Sequence, residues 1–352
     1  MKEITELLTG AIKNKDFPGV AYAIVYPEKI DFDFIGYKEI DPEKIPIKQD
    51  VIYDCASLTK VCLTTSMIMK LIEDKKIYLE QKVSDILTKF KHNNITIKDL
   101  LIHSSGLPAD ISKAYELRNK EDIEEKIYNY ELIYEPGKKV VYSDIGFILL
   151  GFIIEKITNK KLSQYAREVV SDPLNMSDTS YHPNIDRVAP TEFRNDDVYQ
   201  GLLRGKVHDE KAFALQNEAG HAGMFSTIFD LAKLIRSIML NDELILKKET
   251  VDLLFETQII YKESDRRVIA RSLGWEKPTG KSTAGDNADF NNVILHTGFT
   301  GCNIWIDRFK KIGFVMLSNA VHPKRSMNGI IKYRNQIANI ILATNIKVAK
   351  LK

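Results

Sequence analysis

Strand-like runs lie near both ends of this chain and helical patterns fill its middle, so any fold it adopts must build a sheet from both termini. After a helical stretch at residues 3 to 14, PGVAYAIVYPEKIDFDFIGY carries two apolar or alternating runs around a Pro-Glu-Lys turn, the pattern of a hairpin. Strand-like runs return at VILHTG, CNIWID and KIGFVMLSNA, behind a helical segment from Ile228 to Leu240 and ahead of a last helical stretch that begins near Arg325. Between about 80 and 225, helical segments are broken by turns such as HSSGLP, EPGKK and SDPLNMSD. The expected fold class is α+β: an antiparallel sheet flanked by helices, plus a mainly helical lobe. The chain reads as one domain over 1 to 352, with an α/β lobe at about 1–75 and 225–352 and a helical lobe at about 76–224.

Composition narrows the function classes. The 352 residues carry 50 Lys and Arg against 48 Asp and Glu, a formal charge of +2, with the charges interspersed. No basic stripe for nucleic acid emerges, so a small-molecule or peptide partner is expected. The longest uncharged apolar run, Ile145 to Ile154, lies between Asp144 and Glu155 and is too short for a bilayer, which takes about 20 residues. It reads as a buried helix, and no membrane partner is expected. The charged N-terminal segment lacks the apolar core of a secretory signal, which leads to an expected cytoplasmic location unless a leader was trimmed. Oligomeric state is not legible. Cys55, Cys62 and Cys302 form neither a CxxC pair nor a disulfide framework and read as reduced, structural thiols.

Three short motifs carry chemistry. Ser57-Leu58-Thr59-Lys60 is an S-x-x-K at a helix start, which puts Ser Oγ and Lys Nζ on one face about a turn apart. A serine hydroxyl needs a base, and a lysine serves as one only when burial or a nearby cation lowers its pKa. Tyr142-Ser143-Asp144 directly precedes the buried helix, and a tyrosine beside an ammonium can relay a proton. His296-Thr297-Gly298-Phe299-Thr300-Gly301 closes one strand and opens the next, where glycines permit close backbone approach and a free N–H can serve an oxyanion. Each has a bland reading when taken singly: a first-turn serine with a surface lysine, a half-buried tyrosine with Asp144 as helix cap, and a glycine-rich hairpin.

The three together, in this order, resemble the serine β-lactamase and penicillin-binding-protein superfamily, most closely its class C β-lactamase-like branch. YDCASLTKV, LLIHSSGLP, VVYSDIGFILLGFIIEKIT, DPLNMSDTSY, RGKVHDEKAFA, GHAGMFST and HTGFTGCNIWID extend the likeness over about residues 53 to 307. The resemblance implies the β-lactamase/D,D-peptidase-like fold, with the site in the cleft where the two lobes meet. It implies that Ser57 is the acylated nucleophile, Lys60 the lysine that deprotonates it and Tyr142 a further acid or base. It also implies an oxyanion hole from the backbone N–H groups of Ser57 and Phe299. Asp144, His296, Thr297 and Gly298 fall at substrate-binding positions. The implied reaction is hydrolysis of an amide or ester through an acyl-enzyme, as in a peptidase or esterase, with no metal and no organic cofactor.

Two positions depart from the β-lactamase pattern. His296 stands where a lysine is usual, removing a fixed cation for a substrate carboxylate. Asp144 stands where an asparagine is usual, and a carboxylate there favours a substrate N–H or ammonium while raising the pKa of Lys60. Amide or D-amino-acid peptide substrates are therefore expected over β-lactams. The alternatives are a true class C β-lactamase or D-Ala-D-Ala carboxypeptidase and, in another class, an acylatable or inactive binding or sensor protein. A metal trio of His208, Asp209 and His221 is a weaker alternative, since its spacing matches no familiar zinc signature. His103 reads as a structural hydrogen-bonding residue, and Cys55 as a small buried strand residue.

Overall fold

The computed structural model describes residues 1–349. Six antiparallel strands make the sheet: β1 (Gly19–Val25), β2 (Ile30–Glu39), β3 (Ile45–Pro46), β4 (Val293–Thr297), β5 (Asn303–Asp307) and β6 (Ile312–Leu317). Their order is β4-β5-β6-β1-β2-β3, so the C-terminal strands pair directly with the N-terminal hairpin, as the two ends of the sequence require. At the seam Ala21 lies opposite Leu317 and Val25 opposite Gly313.

The central strands bury both faces, and their alternation sorts side chains into two cores. Val20, Tyr22, Ile24, Trp305, Phe314 and Met316 face α1 (Lys2–Lys13), through its Ile4 and Leu8, and the C-terminal helix, through Ile337 and Ile341. Ala21, Ala23, Ile304, Ile306, Val315 and Leu317 belong to the larger core with Leu231 and Ile235 of the Ile228–Leu240 helix.

Two helices carry the site. The segment after Ser57 is not the regular amphipathic helix that the spacing of Val61, Thr65, Ile68 and Ile72 predicts. Lys60–Thr65 is a π-helical turn, and only then does α2 (Ser66–Glu73) begin. Thr65 Oγ1 donates to the Lys60 carbonyl at 2.8 Å, tying the widened turn together. Every residue of that turn is buried, because the segment is enclosed by packing on more than one side. The apolar run Ile145 to Ile154 forms the buried core of α3 (Asp144–Thr158), as expected. Its N-cap is Ser143 and not Asp144: Ser143 Oγ accepts from Gly146 N at 3.3 Å, which leaves the Asp144 carboxylate free for other partners. Among the described residues no helix is long and apolar enough to cross a membrane.

Candidate active site

A strained turn presents Ser57. Ala56 sits in the left-handed region at φ 46°, unusual for a residue with a Cβ. The turn is held on several sides: Asp54 Oδ1 accepts from Ala56 N at 2.8 Å, Asp54 Oδ2 accepts from His208 N at 2.7 Å, and Thr59 Oγ1 donates to the Ala56 carbonyl at 2.7 Å. Gly298 packs so closely that a Cβ there would lie 2.6 Å from the Cys55 carbonyl oxygen, which is why a glycine must follow β4.

Beneath Ser57 lies Lys60, 0% exposed. Its Nζ donates to Ser57 Oγ at 3.0 Å and to the His221 carbonyl at 3.1 Å, and stands 2.8 Å from Asp144 Oδ1. Burial alone would lower the pKa of Lys60, but the Asp144 charge, helped by Tyr142, outweighs it, and the net direction is upward. Lys60 therefore rests as an ammonium. Asp144 is held below the usual carboxylate range: burial opposes this, and Lys60, His221 and Lys211 overcome it.

Sequence reasoning passed over the charge network behind Asp144. The buried Lys211 ammonium lies 3.3 Å from Asp144 Oδ2, 2.9 Å from Asp209 Oδ2 and 2.9 Å from Asp110 Oδ1, and Asp209 Oδ1 is 2.7 Å from His221 Nε2. Both Asp144 oxygens are thus engaged by lysines. The carboxylate that was expected to greet a substrate ammonium is already neutralised, which removes the physical basis for that preference. The trio His208, Asp209 and His221 is not assembled either, because His208 Nε2 points to Glu192 at 3.1 Å. Asp144, Asp209 and His221 do converge, with one ligand atom each within 4.8 Å of the others. The Lys60 and Lys211 ammoniums that border them oppose a further cation.

The opposite flank is aromatic and basic. Tyr142, 37% exposed, packs against His103 with the rings tilted by 39° and centroids 4.7 Å apart, and lies 5.9 Å from the His296 ring. The Lys60 ammonium lies 4.9 Å and the Arg271 guanidinium 5.6 Å from the Tyr142 ring centroid. His103 Nδ1 accepts from Ser143 N at 3.1 Å, in keeping with a structural histidine. Burial first, then Arg271 and Lys60, hold both His103 and His296 well below the ordinary histidine pKa, so both are neutral at pH 7. Arg271, 7% exposed, was not anticipated; its Nη2 lies 3.7 Å from Glu276 Oε2, while among the described residues its Nε and Nη1 find no hydrogen-bond partner, and neither do His296 Nε2 and His103 Nε2.

These groups border a cleft of about 560 Å³ lined by Ser57, Tyr142, Asp144, Arg271, His296 and Thr297, with Phe299 at its edge. Among the described residues, the N–H groups of Ser57 and Phe299 donate to no protein acceptor. The cleft therefore combines a hydroxyl on a buried ammonium, a tyrosine on the same ammonium and two unclaimed amides. Such a set suits nucleophilic attack on a carbonyl.

That arrangement is of a serine hydrolase, and the comparisons agree: residues 4–339 match the Beta-lactamase family, to which the chain belongs. It is 31% identical over 310 residues, 77% of this chain and 69% of the relative, to an Escherichia coli (strain K12) protein provisionally named D-alanyl-D-alanine carboxypeptidase. It is 32% identical over 310 residues, 78% of this chain and 69% of the relative, to an N-acetylmuramyl-L-alanine amidase of Bacillus subtilis (strain 168). Among solved structures, a class C β-lactamase superposes with a TM-score of 0.76 at 18% identity, covering 96% of this chain and 95% of that one. The octameric penicillin-binding protein homologue from Pyrococcus abyssi gives 0.75 at 20%, covering 94% and 76%.

Proposed function

We propose that this serine hydrolase cleaves an amide bond in a small, carboxylate-bearing peptide or peptide conjugate, through an acyl-enzyme on Ser57. The observation that carries the reading is the 3.0 Å hydrogen bond from buried Lys60 to Ser57 Oγ at a cleft where two amide N–H groups stand open. Ser57 Oγ attacks the carbonyl, and the N–H groups of Ser57 and Phe299 receive the developing oxyanion. The Lys60–Tyr142 pair takes the serine proton and returns it to the departing amine, after which water releases the acid. Because Lys60 rests as the ammonium, that pair must first lose a proton, so acylation rises with pH in the alkaline range. Both steps are acid–base and nucleophilic chemistry of protein groups, and the reading requires no cofactor.

The substrate class follows from Arg271. His296 is neutral, and of the cations lining the cleft Arg271 is buried with two guanidinium nitrogens left open, its Nη2 only 3.7 Å from Glu276, an arrangement that suits a carboxylate. The carboxypeptidase and amidase named among the relatives act on bonds of this kind, which supports an amide over an ester. We take the terminal segments and the helical middle as the two lobes of one catalytic domain, with the substrate between them.

The test is intact-mass spectrometry with a p-nitrophenyl ester, a chromogenic cephalosporin and a D-alanyl-D-alanine peptide, on the native protein and on Ser57→Ala, with product release followed alongside. An adduct and turnover that Ser57→Ala abolishes are expected, with the peptide the better substrate. An adduct that survives in Ser57→Ala overturns the nucleophile. A full burst without steady turnover on every probe turns the reading toward an acylated sensor.

A further inference from the structure

Phe299 is the residue whose N–H the proposed mechanism aims at the substrate carbonyl, and its peptide partner is the carbonyl of Gly298. That carbonyl is not idle. Arg334 Nη2 donates to Gly298 O at 3.0 Å and to Cys302 O at 2.9 Å, bridging both ends of the turn after β4. The rest of the turn is held as firmly: Asn328 Nδ2 donates to Phe299 O at 2.6 Å, and Gly298 N donates to Cys302 O at 2.9 Å. Arg334 is 6% exposed, its Nε is unpartnered, and among the described residues it forms no ion pair with a carboxylate. Burial pushes its pKa down to about 10, which still leaves a full charge at pH 7. A buried guanidinium without a carboxylate is costly, so its presence at two backbone carbonyls calls for a physical reason.

We propose that Arg334 is a positioning residue of the oxyanion site: by donating to the Gly298 carbonyl it polarises the Gly298–Phe299 peptide group and strengthens the Phe299 N–H as a donor to the carbonyl under attack. The C=O and the N–H belong to one conjugated amide, so a cation on the oxygen draws electron density from the nitrogen. Hydrogen bonds chained through an amide reinforce one another in this way, more so in a dry site. The same contact aims the N–H, because Gly298 O cannot turn without giving up the guanidinium. The proposal rests on the reading that Phe299 N–H faces the reacting carbonyl.

The experiment compares the full chain with Arg334→Lys and Arg334→Met. It measures melting temperature, the kcat and KM of p-nitrophenyl ester hydrolysis, and the inhibition constant of phenylboronic acid, which forms a tetrahedral adduct on serine and so mimics the transition state. In Arg334→Met, kcat and boronate affinity fall together by about 10-fold or more while KM moves by less than about threefold, a fraction of what deleting a whole oxyanion donor costs. Arg334→Lys recovers part of both losses. A folded Arg334→Met variant with native kcat and boronate affinity overturns the proposal, as does a loss carried by KM and melting temperature alone. If Arg334→Met does not fold, Arg334→Lys decides: a KM-only or unaltered profile overturns it, and a parallel fall in kcat and boronate affinity supports it. Failure of Ser57→Ala to abolish ester turnover sinks the underlying active-site reading instead, so the two failures are distinguishable.

Discussion

The two flanks of the cleft treat their polar atoms in opposite ways. On the Lys60 side, charges are mutually compensated: Lys60 with Asp144, Asp144 with Lys211, Lys211 with Asp209 and Asp110, and Asp209 with His221. On the Tyr142 side, Arg271 Nε and Nη1, His296 Nε2 and His103 Nε2 are buried and, among the described residues, find no hydrogen-bond partner. A closed ion network stiffens and fixes the protonation of the groups it holds. An open set of buried polar atoms is unfavourable until something occupies it. The first flank therefore holds Lys60 and Asp144 in place, and the second leaves polar atoms open toward the cleft, as the proposed function requires.

The sharpest way to break this contrast is to remove the centre of the closed flank. Lys60→Met should lower the acylation rate by about 10³-fold, within the range that positioned proton transfer contributes, while binding of a product carboxylate changes little. Stopped-flow burst kinetics beside product titration check both halves. If product binding collapsed as well, the flanks would not be separable.

Arg271→Ala tests the open flank. Charge-assisted hydrogen bonds contribute about 1.5–3 kcal/mol, so kcat/KM for a peptide with a free C-terminal carboxylate should fall about 10- to 100-fold. The C-terminally amidated peptide should lose little, and equal losses on both would remove Arg271 as the carboxylate site.

Asp144→Asn keeps the shape of the closed flank but cancels the charge that raises the Lys60 pKa. The alkaline rise in kcat/KM should then move to lower pH, consistent with the loss of one nearby opposite charge. An unmoved or upward-moved limb would mean that Lys60 does not govern it.

The smallest expected effect is on stability. His103 and His296 have folded pKa values well below their unfolded ones, so below about pH 6.5 the unfolded chain binds more protons and stability falls as pH falls. The slope contributed by each is at most about 1.4 kcal/mol per pH unit. Urea midpoints at pH 7.5 and 5.5 should differ in the native protein and differ less in His103→Asn. Carboxylates with lowered pKa values, such as Glu192 at about 2, contribute their loss only below about pH 4.5, outside this window.

Legibility in the sequence follows from range. Ser57 and Lys60 are joined by local geometry, and α3 by a continuous apolar run, so both could be read from adjacent residues. The widened turn at Lys60–Thr65 could not, because the apolar spacing of a π-helical turn differs little from that of an α-helix over six residues. Asp144 was seen as an oddity, but its effect depends on Lys211, 67 positions away by their numbers, whose HDEK context reads as an ordinary loop. Arg271 and Arg334 carried no signal. Each is one arginine among many until packing buries it, Arg271 with only a long 3.7 Å ion pair to Glu276 and Arg334 with no carboxylate among the described residues.

By itself the sequence determined the class of fold and the pairing of the two termini in one sheet, and it singled out Ser57, Lys60 and Tyr142 as candidates, because hydrophobic periodicity and short motifs are properties of neighbouring residues. Only the tertiary structure decided the electrostatics: that Lys60 is protonated, that Asp144 is engaged on both oxygens, that Arg271 and Arg334 are buried with guanidinium nitrogens left open, and that His296 is neutral. Those outcomes depend on distances of about 3 Å and on exclusion of water between residues far apart in the chain, where a Coulomb interaction grows several-fold over its strength in solvent.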